Sequence, residues 1–519
     1  MNRIASVILV LALAAPAGAQ TLQYEDPTVQ EMLRLGVEES QTRQLAHELL
    51  DVIGPRLAGS EGLEASQQWL MERYAAWGID TRLEEIGTWA RWRPGILHVD
   101  MLTPRVSSLE AELKAWSPGT DGPVTGDVVL PPADASDAEA WKAAVAGKFV
   151  LLSPPEEMCR ARQELEANTG EAVIEALEAR RRDTQTAFYA RMQALTGAGN
   201  PFQAAAMAAQ LVDSLGAAGT LESRWSGGWG VNKVFGTDNR NAVALDVSCE
   251  DYGLLYRLLD GGTPVTLRVD AEAEHLGEVP QYNLIAQITG SEKPDEYVIL
   301  GAHLDSWHAA TGATDNGTGT LTMLEAARIL KQTYPQPKRT ILIAHWANEE
   351  VGLIGSSAFR EDNPDLLPGI QAVFNQDNGT WAFERLEGQG FAESPDFLPA
   401  WASVLPLEWR NRMVVEVPGA QNNSGSDHTS FVCASIPAFR FQSPYDEYRQ
   451  YTWHTNRDTA DKIVFDDLAA NATTAAMVAY MASEDDQLMG RGQSVLPSGG
   501  NGRTRSWPNC RPTRRSSGR

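Results

Sequence analysis

Cysteine is scarce in this sequence, which contains only four: Cys159, Cys249, Cys433 and Cys510. They lie far apart, and no CxxC or finger-like spacing occurs, so the sequence predicts neither a zinc knuckle nor a disulfide framework. One disulfide is compatible with an exported protein. The spacing does not identify the pair that would form it.

Basic side chains are in the minority. Lys and Arg total 43 against 68 Asp and Glu, which gives a formal net charge of −25 at pH 7. A nucleic-acid partner requires a basic face that neutralises phosphates, so we expect none. Residues 490–519 differ from the rest because they contain seven Arg and no acidic residue. They also lack apolar periodicity, and we expect a dispensable, disordered basic tail at 487–519.

Long apolar runs are absent beyond the first residues. Residues 1–19 combine Arg3, an apolar run at 4–15 and the small residues Ala17-Gly18-Ala19, which is the pattern of a secretory signal peptide. A membrane anchor is the alternative, but the run is shorter than the ~20 residues that a spanning helix needs. We therefore expect a secreted or periplasmic protein with no membrane contact after signal cleavage.

Several common catalytic motifs are missing as well. The sequence contains no GxSxG, no P-loop and no dinucleotide-binding fingerprint. His47-Glu48 lacks the second histidine of HExxH and is predicted to lie on a surface helix. These absences give no support to a serine hydrolase of the GxSxG type, a P-loop enzyme or a dehydrogenase.

The order of the predicted elements indicates an α/β fold. From Asn283 onward, short apolar runs alternate with helical segments, which is typical of a central sheet flanked by helices. The predicted strands in this part of the chain lie at 283–288, 296–301, 340–346, 372–375 and 438–441. A final helix is predicted at about 465–483.

At this length we expect more than one domain. Residues 20–105 and 271–486 are expected to form two parts of one catalytic domain with a mixed sheet. Residues 106–270 have a different character, because short β-rich runs are separated there by turn residues. A stretch with helical periodicity at about 156–215 is predicted to be an insertion within this β-rich segment.

Ionisable residues follow the ends of consecutive predicted strands. In open α/β sheets, ligands bind beyond the carboxyl ends of the strands, so we expect these residues to meet at one edge. The set consists of His303 and Asp305, Asp315 in a Gly-rich turn, Glu349 and Glu350, Asp377, and His454 late in the chain.

Two histidines and several carboxylates at one edge suit a pair of zinc ions, which bind imidazole nitrogen and carboxylate oxygen. A carboxylate shared by both ions would hold them ~3.5–4 Å apart, as in two-metal hydrolases. The adjacent Glu349 and Glu350 are expected to differ in role. One binds metal, and the other stays free as a general base, because a metal-bound carboxylate retains little basicity.

These residues also carry a resemblance to a known family. The motifs are His303-Leu304-Asp305-Ser306, Asp315-Asn316-Gly317, Asn348-Glu349-Glu350-Val351-Gly352, Asp377, Ser426-Asp427-His428, and His454-Thr455 with Asp458-Thr459. Together they resemble the di-zinc aminopeptidases, a family that includes secreted bacterial aminopeptidases, plasma glutamate carboxypeptidase and glutamate carboxypeptidase II. The resemblance covers 26–90 and 283–484 and implies a phosphorylase/hydrolase-like zinc exopeptidase fold. The β-rich middle resembles the protease-associated domain that interrupts many members.

The resemblance implies a role for each residue. The implied metal ligands are His303 and Asp377 for one zinc ion, Glu350 and His454 for the other, and Asp315 as the bridge. Glu349 would be the general base. Asp305 would orient the ring of His303 through a hydrogen bond to its other nitrogen.

Two positions depart from the family pattern. Asn316 stands where many relatives have a second acid. Residues 307–310 lack the acid that is usual in members like the plasma carboxypeptidase. The substrate subclass is therefore left open.

The expected activity is hydrolysis of a peptide bond at a chain end by an exported, two-zinc aminopeptidase or dipeptidase. One alternative is a glutaminyl cyclase-like acyltransferase, which uses a single zinc and would release ammonia. Another is a non-catalytic binding ectodomain, which predicts that ligands are lost. The sequence leaves side-chain preference and oligomeric state open.

Overall fold

The computed structural model describes residues 26–421, 425–494 and 506–519. The predicted signal peptide lies outside them. The strands are β1 (Asp80–Thr103), β2 (Ser107–Ser108), β3 (Ala111–Leu113), β4 (Val124–Val129), β5 (Phe149–Leu151), β6 (Gly219–Glu222), β7 (Val243–Val247), β8 (Thr266–Ile288), β9 (Lys293–His303), β10 (Arg339–Trp346), β11 (Ile370–Gln376), β12 (Arg385–Glu387), β13 (Val414–Glu416) and β14 (Ala438–Gln442).

The α-helices lie between and around these strands. They are α1 (Pro27–Leu33), α2 (Thr42–Ala46), α3 (Glu61–Ala76), α4 (Ala138–Ala144), α5 (Arg162–Asn168), α6 (Glu171–Thr196), α7 (Pro201–Ser214), α8 (Cys249–Asp260), α9 (Thr318–Thr333), α10 (Ile354–Asp362), α11 (Ser394–Trp401), α12 (Leu407–Arg412), α13 (Thr429–Val432) and α14 (Phe465–Glu484). Within the described ranges, none of them combines the length and the apolar composition of a membrane span.

A mixed sheet organises the chain. Its order is β13-β12-β14-β11-β9-β10-β8, continued through β4-β5-β6-β7-β3. β9 pairs in parallel with both β10 and β11, and β11 pairs in parallel with β14. β8 and β12 add antiparallel pairs, and β1 runs antiparallel to β8. The predicted α/β class with a mixed central sheet and flanking helices is confirmed.

The central strands are buried at almost every position, as in β10 and β11. Such continuous burial explains why the sequence shows apolar runs there and no alternation, because helices cover these strands on both faces. α9 and α14 pack against each other and against β9, and α10 packs against β10. The strand ends that carry the candidate ligands are thereby fixed in a dry core.

The middle segment extends the sheet with short strands, four of which form a parallel set. β4, β5, β6 and β7 pair in parallel in this order, and β4 joins them to β8. The predicted helical insertion corresponds to α5, α6 and α7, which lie between β5 and β6. Phe188 and Met192 of α6 pack with Ala204 and Ala208 of α7 in a small second core. That this segment is a protease-associated domain stays a prediction.

Two disulfides are present where the sequence allowed for one. Cys159 bonds to Cys249, which joins the segment before α5 to the start of α8. Cys433, which follows α13, bonds to Cys510. The partners are 90 and 77 residues apart in the sequence. Spacing carries no information about pairs that only the folded chain brings together.

The expectation of a disordered tail is wrong for residues 506–519, which contact the fold along their length. The indole of Trp507 donates to the carbonyl of Val432 at 2.6 Å. The Arg515 guanidinium lies 2.8 Å from the Asp362 carboxylate. These contacts come from single polar and aromatic side chains, without regular secondary structure, so they leave no periodic pattern in the sequence.

A chain shortened to end at Asp486 is expected to melt at a lower temperature than the full chain, contrary to the sequence-based expectation. It loses the Cys433–Cys510 bond and the Trp507 contacts. Removal of a native disulfide typically costs about 2–5 kcal/mol. Thermal unfolding of the shortened chain and of the Cys433→Ser/Cys510→Ser variant would separate the contribution of the disulfide from that of the other contacts. Equal melting temperatures for these two chains and the full chain would show that the tail is dispensable.

Candidate metal centre

The candidate ligands meet beyond the carboxyl ends of three neighbouring parallel strands. β9 ends at His303, β10 ends three residues before Glu349, and β11 is followed directly by Asp377. Two further candidates lie on loops, with Asp315 just ahead of α9 and His454 in the segment that precedes α14. Parallel strands deliver their carboxyl ends to one edge, so residues far apart in sequence become neighbours.

The side chains form two adjacent clusters. In each cluster the possible ligand atoms of three residues lie within 4.8 Å of one another. The first cluster is His303, Glu349 and Asp377, and the second is Asp315, Glu350 and His454. His303 Nε2 lies 3.3 Å from Asp377 Oδ1, and His454 Nε2 lies 3.0 Å from Glu350 Oε2.

Asp315 faces both histidines with different oxygen atoms. Its Oδ1 lies 3.5 Å from His303 Nε2, and its Oδ2 lies 3.4 Å from His454 Nε2. A carboxylate placed between two imidazoles has the arrangement of a ligand shared by two metal ions. Asp315 Oδ2 and Glu350 Oε1 are buried and have no hydrogen-bond partner among the described residues, so these residues fit a metal centre.

The charge balance of the pocket also favours metal cations. Burial raises the pKa of Glu349 and of Glu350 well above the ordinary value, and neighbouring carboxylates add to the effect. Burial acts in the same direction on Asp377, but His303, Arg440 and a hydrogen bond from Ser426 together outweigh it and lower the pKa to about 2. Several carboxylates that share a buried pocket repel one another unless cations lie among them.

The imidazole of His303 is held in the tautomer that suits a metal ligand. Its Nδ1 lies 2.9 Å from the backbone carbonyl of Asp305 and donates to it. In the neutral ring Nε2 then keeps its lone pair, and it faces the Asp377 carboxylate at 3.3 Å. The sequence predicted that the Asp305 side chain would hold this ring. Its carboxylate is instead 3.7 Å from Nδ1, and the backbone of the same residue makes the hydrogen bond.

The Asp305 carboxylate fixes the main chain of the two adjacent glutamates. Its oxygens accept hydrogen bonds from Glu349 N at 3.0 Å and from Glu350 N at 3.2 Å. Asp458 does the same for Asp315, since it accepts from Thr314 N at 2.7 Å and from Asp315 N at 3.0 Å. Both carboxylates therefore set the positions of candidate ligands through the backbone.

Sequence reasoning gave Asp458 no role, although it lies in the motif that follows His454. Its partners are more than 140 residues away in the sequence. Burial raises the pKa of Asp458 to about 7. A buried carboxylate that accepts two backbone N–H bonds is a structural anchor, and only the folded chain reveals it.

The side-chain amide of Asn316 both donates and accepts a hydrogen bond, which an ionised acid in its place could not do. Its Nδ2 donates to the carbonyl of Gln376 at 2.9 Å, and its Oδ1 accepts from Gly319 N at 3.1 Å. An ionised carboxylate has no donor. The departure from the acid of many relatives thus has a local structural reason.

Two histidines outside the candidate ligand set, His345 and His428, are buried without charge. His345 sits within β10, with Nε2 2.7 Å from the hydroxyl of Tyr74. His428 immediately precedes α13, and its ring nitrogens have no hydrogen-bond partner within the described ranges. Burial lowers the pKa of each to about 3.

An aromatic wall borders the second cluster. The ring of His454 lies 3.9 Å from that of Trp453, 5.0 Å from that of Phe235 and 5.7 Å from that of Trp307, between centroids. Trp453 therefore stacks directly on the candidate ligand. Phe235 and Trp307 were missed because they come from the middle segment and from the loop after β9.

Two clusters of candidate metal ligands, with Asp315 facing a histidine of each, at the edge of an α/β sheet are the arrangement expected of a metal-dependent hydrolase. Residues 283–479 match Peptidase family M28. This match confirms the resemblance seen in the sequence, and the chain is a metallopeptidase.

The relatives extend over most of the chain. Carboxypeptidase Q from Mus musculus is 25% identical over 447 residues, covering 85% of this chain and 86% of the relative. A peptidase M28 precursor from Shewanella amazonensis has a TM-score of 0.66 at 22% identity and covers 91% of this chain and 98% of its own. BSAP, a zinc aminopeptidase from Bacillus subtilis, has a TM-score of 0.56 at 18% identity and covers 87% and 97%. The two solved structures thus share the fold of this chain.

Alanine in place of His303 or His454 is expected to lower the amount of divalent metal bound, because each histidine belongs to a different cluster. His345→Ala is the matched control, since this histidine is equally buried but bonds to Tyr74. The control is expected to lose stability and keep its metal. Metal analysis of the three dialysed variants decides, and full metal content in His303→Ala or His454→Ala would remove that residue from the ligand set.

Proposed function

We propose that this metallopeptidase is a secreted exopeptidase with two zinc ions. The observation that carries the proposal is Asp315, whose two carboxylate oxygens each face a different histidine. Zinc is supported by the donor set of imidazole and carboxylate and by the zinc aminopeptidase BSAP among the structural neighbours. Secretion is supported by two disulfides, which persist in oxidising compartments.

In this proposal five residues bind the metal ions. His303 and Asp377 hold one ion, Glu350 and His454 hold the other, and Asp315 is shared. Zinc in such a site lowers the pKa of water and polarises a substrate carbonyl. Asp305 acts through the main chain, because its carboxylate fixes the backbone of both glutamates.

Glu349 is proposed as the general base. Its side chain keeps 12% of its surface exposed, against 3% for Glu350, so it is the glutamate that solvent and substrate reach. Its Oε2 also lies farther from a histidine, at 4.0 Å from His303 Nε2, than the 3.0 Å of the Glu350–His454 pair. Burial raises its pKa, which increases the basicity of the ionised carboxylate. Glu349 would accept the proton of the attacking water and deliver it to the leaving amine.

The relatives leave two possibilities for the substrate end that the enzyme recognises, the amino terminus and the carboxyl terminus. The curated relatives are carboxypeptidases, and the structural neighbours include aminopeptidases. Dipeptides and short peptides with a free or blocked amine and a free or blocked carboxylate would identify the end that is required. Ammonia release without peptide hydrolysis would instead indicate the cyclase-type acyltransferase.

We also propose that residues 106–270 are a protease-associated domain, between catalytic parts at 20–105 and 271–486. The support is the set of short parallel strands β4 to β7, together with a helical insertion that packs into a second hydrophobic core. Expression of 106–270 alone as a folded unit would test this division.

The proposal predicts two zinc ions per chain after dialysis. Stepwise removal with a chelator should abolish peptide hydrolysis, and added zinc should restore it. One tightly bound ion with full activity would contradict the two-metal proposal.

The adjacent glutamates should respond differently to the same isosteric change. Glu349→Gln removes the base, which is typically worth ~10²–10⁴-fold, so kcat should fall by about that factor while zinc content stays at two. Glu350→Gln should weaken zinc binding, and excess zinc should restore part of its activity. Activity that zinc restores at position 349 and fails to restore at 350 would reverse the two roles.

A further inference from the structure

Arg56 is a fully buried arginine whose partners are mainly backbone carbonyls. It lies in the turn ahead of α3, and its side chain has no exposed surface. Nε donates to the carbonyl of Leu304 at 2.7 Å, and Nη2 donates to that of Gly312 at 2.9 Å. Nη1 donates to the carbonyls of Thr311 at 2.7 Å and Gly54 at 3.0 Å.

Three of these carbonyls belong to one loop, residues 304–312, which connects two candidate metal ligands. Leu304 immediately follows His303, and Gly312 precedes Asp315 by three residues. The planar guanidinium therefore holds both ends of this loop at once. The Arg56 backbone adds to this, because its N donates to Ser306 Oγ at 3.1 Å and its carbonyl accepts from Ser306 N at 3.2 Å.

The lack of a carboxylate partner sets Arg56 apart from two comparably buried arginines. Arg328 pairs with Glu325 at 2.6 Å, and Arg339 pairs with Glu296 at 2.7 Å. No carboxylate oxygen of the described residues lies within 4.0 Å of the Arg56 nitrogens. The acidic groups that act on it are the more distant Asp458, Asp305, Asp315 and Glu350 of the candidate centre.

We propose that Arg56 is a positioning residue of the metal centre. It fixes the loop 304–312 so that His303 and Asp315 face each other at the spacing the metal ions require, before any ion binds. This inference rests on the proposed function, because it assigns Arg56 to the same two-zinc site. Residues that position metal ligands typically change metal affinity by about 10- to 100-fold when they are removed.

The test is a zinc titration of the metal-free protein in competition with a chromophoric chelator. Arg56→Lys keeps the charge, but an ammonium lacks the planar fork that reaches three loop carbonyls. We expect its zinc affinity to fall by about 10- to 100-fold. Excess zinc should restore much of its kcat/KM. A merely structural role would lower the melting temperature of the metal-free protein and leave zinc affinity unchanged.

Arg339→Lys is the matched control. Arg339 is equally buried and also donates to backbone carbonyls, such as that of Ser483 at 2.9 Å, but it lies away from the metal centre. It should lose thermal stability and bind zinc as the wild type does. Ser306→Ala is a milder change at the same loop, which keeps the test decisive if Arg56→Lys does not fold, and it should weaken zinc binding by a smaller factor.

The outcomes distinguish failure of the two-zinc function from failure of the positioning role of Arg56. Wild-type protein that binds fewer than two zinc ions counts against the proposed function itself. Wild-type protein that binds two, together with Arg56→Lys or Ser306→Ala that bind them equally tightly, overturns the role of Arg56 alone.

Discussion

The repulsion among buried carboxylates is the constraint on which the functional edge of this protein depends. Asp315, Glu349, Glu350 and Asp377 share a pocket in which none is more than about an eighth exposed, the largest value being the 12% of Glu349. Water cannot screen such a group of charges, so the pocket requires cations or protons. Two histidines whose Nε2 atoms face these acids make metal cations the chemical answer. The fold then has to hold these groups together at the cost of their mutual repulsion.

The sheet holds some of these groups in place, and buried polar side chains that bond to the backbone hold the others. His303 and Asp377 are placed by the carboxyl ends of β9 and β11. The last six residues of β9 and all of β11 are buried, so they cannot shift without disturbing the core. Asp315 lies on a loop, and the hydrogen bonds of Asp458 and Arg56 restrain that loop. Hydrophobic packing thus fixes one part of the centre, and charged side chains bonded to the backbone fix the other.

Much of the fold and of the candidate site could be predicted because both leave local patterns. Apolar runs identified β9, β10 and β11, and the ligand residues stand at fixed distances after these runs. Contacts between distant segments leave no such pattern. The bond between Cys433 and Cys510, the reach of Arg56 to Gly312 and the approach of Phe235 to His454 depend on where the folded chain passes. The sequence also assigned the hydrogen bond from His303 to the carboxylate of Asp305, whereas the backbone carbonyl of Asp305 accepts it. The identity of a residue does not reveal whether its backbone or its side chain makes a contact.

The two histidines also differ in how much of their surroundings is fixed. His303 Nδ1 donates to a backbone carbonyl of its own strand end, which sets the ring and its tautomer. His454 has no such partner, because its Nδ1 is buried without a hydrogen bond to any described residue. Aromatic rings hold it instead, with Trp453 stacked on one side and Phe235 from the middle segment at its edge. Stacking restrains the plane of a ring but leaves its tautomer free. The middle segment therefore contributes to the metal centre by packing on His454, a candidate ligand that lies far from any strand of the sheet in sequence.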